Sequence, residues 1–182
     1  MQKQSKPISG TFLFVIVIYQ CIWHLVLPIA LARLWYKGRK ENGYRQHIRE
    51  RLGFYSKTTF TNAIWIHAVS VGETRASAPL IYRLTENQER ILLTHTTPTG
   101  RQTGAELFKH QIEQGLVMQS YIPYDFCWPV SRFIKTFKPR MALMMETEVW
   151  PSLLFFARNH FPVYLINGRL SLKSSLNFAK FG

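Results

Sequence analysis

AIWIHAVSVGETRASAPLIYRL, residues 63–84, opens with AIWIH, a short run that is apolar except for its last residue. A strand buried on both faces reads this way, as in a parallel sheet covered by helices. Three residues later Ser70-x-x-Glu73 has the form of a capping box, which satisfies two orphan N–H groups at a helix start. A segment of helical length follows, and Pro79 within it predicts a kinked or short helix, because proline lacks the N–H of the i to i−4 bond. The stretch is therefore one strand–helix unit.

Four further runs repeat the unit: ILLTH (91–95), LVMQSYI (116–122), MALMME (141–146) and VYLIN (163–167). Thr97-Pro98 reads as an N-cap with proline at the first helical position, and Trp150-Pro151 places proline at another helix start. Five such units predict an α/β fold, a doubly wound, Rossmann-like parallel sheet.

On that scheme every polar cluster falls at the carboxyl end of a strand, where open α/β sheets bind ligands. The clusters are Ser70, Gly72 and Glu73 after the first strand, and Thr94, Thr96, Thr97, Thr99, Gly100 and Arg101 after the second. Pro123, Tyr124 and Asp125 follow the third, Glu146 and Glu148 the fourth, and Asn167 to Arg169 the fifth. Two accounts of Glu73 stand side by side. It completes the cap with Ser70, or it is a crevice carboxylate, kept ionised by the helix N-terminus, that accepts a proton from a substrate hydroxyl. The threonine loop can be a capped polar turn or a phosphate cradle. Arg169 is a candidate phosphate or carboxylate clamp, or a solvated arginine. Glu146 and Glu148 beside Trp150 are less readily explained by capping. His67, at the end of a buried strand, reads as a hydrogen-bonded core histidine.

Charge and composition narrow the partners. The chain has 182 residues, with 23 Lys and Arg against 10 Asp and Glu, a net +13. That surplus favours an anionic partner. Two cysteines, Cys21 and Cys127, exclude a disulfide scaffold or a cysteine-rich zinc module. There is no GxGxxG, GxxxxGK[ST], GxSxG or HExxH, which removes support for dinucleotide, P-loop, α/β-hydrolase and zinc-protease readings. Asp125 is the only aspartate, so no Asp-x-Asp cluster offers itself to a hard cation and a metal-independent mechanism is expected.

From Thr11 to Ala32 no Asp, Glu, Lys or Arg occurs. Twenty-two helical residues rise about 33 Å, close to a hydrocarbon core of about 30 Å. The run is long for a signal peptide and lacks a small-x-small cleavage site. Basic residues crowd its downstream side, from Arg33 to Arg51, against Lys3 and Lys6 upstream. The positive-inside rule sets the downstream side in the cytoplasm, where the cluster can meet anionic lipid headgroups. The expected organisation is a membrane-associated helix with basic flanks over 1–36, a basic connecting segment over 37–62, and the Rossmann-like domain over 63–182.

These loops, in order, resemble a known family. RLG-F-Y (51–55), HAVSVGE (67–73), THTTPTG (94–100), P-Y-D (123–125), METE-x-WP (145–151) and N-x-RLS (167–171) are similar to motifs of the 3-deoxy-D-manno-octulosonic acid (Kdo) transferases of Gram-negative bacteria. The resemblance implies a GT-B glycosyltransferase that moves Kdo from CMP-Kdo to lipid IVA at the inner membrane, with its catalytic domain on the cytoplasmic side. It implies that Glu73 is the general base and that Glu146 supports the transition state. Ser70, Gly72, the 94–101 loop, Glu148 and Arg169 are the expected substrate contacts. No cofactor and no nucleic acid are expected. NGRLSLKS (167–174) departs from the family's usual NARLS continuation. The family continues beyond Gly182 for a second, CMP-Kdo-binding domain, so this chain is expected to be the acceptor half, inactive alone. The alternatives are a non-catalytic membrane module that binds a phosphorylated lipid and, further off, a peripheral nucleic-acid binder.

Overall fold

The computed structural model describes residues 10–56, 58–145 and 150–166. Helix α1 (Gly10–Lys37) leads through a 3-10 turn at Asn42–Tyr44 and the short α2 (Ile48–Arg51) into alternating strands and helices. These are β1 (Ile64–His67), α3 (Val71–Glu86), β2 (Ile91–His95), α4 (Pro98–Leu107), α5 (Lys109–Glu113) and β3 (Val117–Tyr121). There follow α6 (Cys127–Phe137), β4 (Met141–Met145), α7 (Pro151–Ala157) and β5 (Val163–Ile166).

The five strands form one sheet in the order β3-β2-β1-β4-β5, with every pairing parallel. The expected α/β class is observed. Alternation along β1 shows why apolar runs were needed. Ile64 and Ile66 point to the face packed with Ile81, Leu93 and Phe108, while Trp65 packs on the opposite face with Phe133, Phe137 and Met144. Trp65 and Ile66 are fully buried. Each face is thus removed from water by its own helices, at about 25 cal/mol per Å² of apolar surface.

Helix α3 corrects one expectation, because it runs unbroken through Pro79 for 16 residues. Pro79 and Arg75, the residue whose carbonyl loses its partner, both face solvent, so water replaces the missing bond. The chain reverses its winding direction between β1 and β4, and at such a switch point the loops beyond the strands part to leave a crevice. The loop after β1 is therefore the place to look for chemistry.

Candidate functional site

Glu73 stands on the first turn of α3, directly beyond β1, and is 9% exposed. Its carboxylate is tightly held. Val69 N–H donates to Oε2 at 2.9 Å and the Ser70 hydroxyl donates to Oε1 at 3.1 Å. Ser70 Oγ in turn accepts from Glu73 N–H at 3.3 Å. The capping box is thus shifted by one residue, since the carboxylate reaches back to Val69 N–H instead of the Ser70 amide. Two donors and the helix N-terminus favour the ionised form, which is the form a proton acceptor needs. Among the described residues, a Cβ placed on Gly72 would meet only Ser70 Oγ, at 3.8 Å.

The loop after β2 is strapped onto this one. Thr96 and Thr97 each donate from Oγ1 to the Val69 carbonyl at 3.2 Å, and Thr97 Oγ1 caps α4 by accepting from Gly100 N–H at 3.1 Å. Val69 is therefore the joint, with its N–H on Glu73 and its carbonyl on the threonines. Thr99 is exposed and reaches Thr97 Oγ1 at 3.5 Å. Gly100 is buried, with the Val69 carbonyl 3.3 Å from where its Cβ would stand.

The sequence model of the family described as 3-Deoxy-D-manno-octulosonic-acid transferase (kdotransferase) matches residues 46–182. The chain belongs to this family. A 3-deoxy-D-manno-octulosonic acid transferase of Bordetella pertussis is 39% identical over 152 residues, covering 81% of this chain and 36% of the relative. One from Haemophilus influenzae is 34% identical over 166 residues, covering 89% of this chain and 38% of the relative. The chain thus spans little more than a third of the length of the curated relatives it matches.

Within this chain, three of the expected contacts turn inward. Thr94 is fully buried, accepting from Trp65 Nε1 at 2.7 Å and paired with His67 Nδ1 at 2.9 Å. Its hydroxyl supports the floor of the crevice and does not line it. Gly100 serves close packing. Arg101 pairs with Glu50, Nη1 to Oε2 at 2.7 Å, and lies over the Tyr121 ring at 4.8 Å. Glu146, Glu148 and Arg169 lie outside the described residues. Met145, from which the chain leads toward Glu146, ends β4 in the register that pairs His67 with Met144 beside it.

Two histidines form the wall behind the loops. His67 is fully buried, and burial pushes its pKa down to about 3, with His95 nearby adding to the effect. His95 is also enclosed and is pushed down to about 4, again chiefly by burial. With the Gln119 amide oriented to satisfy its neighbours, its nitrogen donates to His95 Nε2 at 2.8 Å, and His95 Nδ1 lies 3.1 Å from the Ala68 carbonyl. Both rings are neutral scaffolding. Among the described residues no group of three or more His, Cys, Asp or Glu is placed to hold a metal ion.

Arg51 is the residue that sequence reasoning missed. It is 4% exposed, donates from Nη2 to the Thr96 carbonyl at 2.8 Å, and stacks on Tyr121 at 3.9 Å. Its own carbonyl accepts from Tyr124 N–H at 2.8 Å. Arg51 thus ties the basic connecting segment to the threonine loop. The signal was present in RLG-F-Y, but six neighbouring positive charges, from Arg33 to Arg49, made it look like one more solvated cation.

Proposed function

We propose that this chain is the acceptor-side part of a glycosyltransferase that moves Kdo from CMP-Kdo to lipid IVA at the cytoplasmic face of the inner membrane. The observation that carries the reading is the Glu73 carboxylate, gripped by Val69 N–H and the Ser70 hydroxyl at the switch point of a parallel sheet. Family membership supports the reaction class.

Glu73 accepts the proton from a hydroxyl of the acceptor sugar. The freed oxygen attacks the anomeric carbon of Kdo, and the bond to CMP breaks with its electron pair leaving on the phosphate. CMP is a good leaving group, so the step runs without a metal ion. Glu146 steadies the charge that develops at the anomeric centre. Ser70, Gly72, Thr96, Thr97 and Thr99 form the polar rim that meets the acceptor, and Glu148 and Arg169 are further acceptor contacts by family resemblance. Thr94, Gly100 and Arg101 hold that rim in place from behind. The basic surplus attracts the phosphates of the acceptor.

The test uses a protein of the relatives' full length that carries this sequence. Glu73→Gln keeps the shape and loses the base. It should lower Kdo transfer from CMP-Kdo to lipid IVA by about 10²–10⁴-fold or more, with melting temperature and lipid IVA binding nearly unchanged. Transfer within threefold of the parent would remove Glu73 from the role.

A further inference from the structure

Helix α1 carries Tyr19 and Gln20 in the midst of an apolar run, and both are spoken for by the sheet domain. The Tyr19 hydroxyl donates to Asp125 Oδ2 at 2.9 Å. The Gln20 amide donates to Ser152 Oγ at 2.7 Å and accepts from Cys127 N–H at 2.9 Å. Trp23 lies on Tyr124 and Phe126, with ring centroids 5.8 and 5.4 Å apart. Further along the helix the Arg33 charge acts on Tyr124 of the same loop. Arg45 donates to the Trp35 carbonyl at 3.1 Å, and the segment it belongs to returns through the Arg51 carbonyl to Tyr124 N–H at 2.8 Å.

Gln20 and Lys37 are 17 residues apart, or about 26 Å along a helix. An upright span would set them near opposite faces of the bilayer. Yet Ile16 and Leu34, 18 residues apart, are both buried, so the helix is docked along most of its length. The periodicity agrees. Ile16, Gln20, Trp23, Leu27, Ala30 and Leu34 are buried or half-buried on one stripe, while Phe14, Ile18, Ile22, Leu25, Ile29 and Tyr36 are exposed on the opposite one.

We infer that α1 does not cross the bilayer: it lies along the membrane surface with its domain-facing stripe docked and its opposite stripe sunk at the headgroup–acyl boundary. Both helix ends are then on one side. The partner is an anionic phospholipid surface, because Arg33, Lys37, Arg39, Lys40, Arg45 and Arg49 are all exposed around the downstream end. The inference rests on the membrane reading above and concerns its geometry alone.

The experiment takes the full-length protein with Cys21→Ser, Cys127→Ser and Ser5→Cys, expressed in Gram-negative cells. A membrane-impermeant maleimide is applied to spheroplasts before and after lysis. The expected result is recovery in the membrane fraction with labelling only after lysis. Labelling of intact spheroplasts would overturn the in-plane helix and leave membrane attachment standing. Recovery in the soluble fraction would overturn both. The purified parent should also bind vesicles with 30 mol% phosphatidylglycerol more tightly than pure phosphatidylcholine vesicles, by about tenfold or more at low salt. Equal binding would overturn the anionic partner.

Discussion

His67 and His95 stand at the ends of the adjacent strands β1 and β2, behind the loops that follow them, enclosed and neutral. Their folded pKa values, about 3 and about 4, lie below the ordinary value of about 6.5 for an unfolded chain. The unfolded state therefore binds more protons between those limits. Their contribution to stability is complete above about pH 6.5 and is lost as pH falls toward 4, with a slope of up to about 1.4 kcal/mol per pH unit for each ring. Asp125, raised by burial, acts in the opposite sense, so the useful measurement is a difference. Between pH 7.5 and 5 the parent should lose about 2 kcal/mol more than His67→Gln in urea unfolding. Parallel stability curves would show that His67 titrates normally. Arg51 offers a second prediction at this scale. Arg51→Lys keeps the charge but loses the flat guanidinium that stacks on Tyr121 while reaching the Thr96 carbonyl. It should lower the melting temperature by several degrees, corresponding to about 1–2 kcal/mol, and a change within one degree would refute the role.

Helix α6 (Cys127–Phe137) and the turn after α2 meet at a point that admits no side chain. Gly53 has φ of +73°, and a Cβ there would fall 2.6 Å from Pro129 Cα and 2.9 Å from the Pro129 carbonyl oxygen. Both are backbone atoms of a helix that buries Val130, Phe133, Ile134 and Phe137 against the sheet, so they cannot give way cheaply. Gly53→Ala combines left-handed strain with this overlap and should destabilise by about 2–4 kcal/mol. An unchanged denaturation midpoint would mean that the turn relaxes freely. The same turn ends the RLG triplet, which gives a physical reason for its glycine. Glu50 is the polar counterpart in α2 (Ile48–Arg51), accepting from Arg101, Ser120 Oγ and Tyr121 N–H and so fixing the connecting segment to the edge strand β3.

The described residues form a single parallel sheet with one long apolar helix docked across the loops at residues 124–127 and 152. Transfer between a nucleotide sugar and a lipid needs both substrates held in attack geometry, a term that can supply about 7–11 kcal/mol. The 182 residues, spanning 36% and 38% of two relatives, carry the proposed acceptor side. Incubated alone with CMP-Kdo and lipid IVA, they should give no product above background while retaining measurable lipid IVA binding. Clear turnover by this stretch, free of any other polypeptide, would mean that it also binds the donor.

Periodicity and caps alone determined the strands, their parallel arrangement and the positions of Glu73 and the threonine loop, because burial on both faces and N-terminal capping are local demands that each short segment states for itself. The apolar length of residues 11–32 likewise announced a long apolar helix. What only the tertiary structure decided are contacts between distant segments. Thr94 and Thr97 look alike in THTTPTG, but one faces Trp65 across the sheet and the other faces Val69. Arg51 and Arg49 look alike in a basic run, yet only Arg51 meets Tyr121 and the Thr96 carbonyl from a buried position. Tyr19 and Gln20 look like blemishes in an apolar helix until Asp125 and Ser152, more than a hundred residues later, supply their partners. A hydrogen bond depends on where the other half arrives, and that is set by sheet order and helix docking, which no local window of sequence contains.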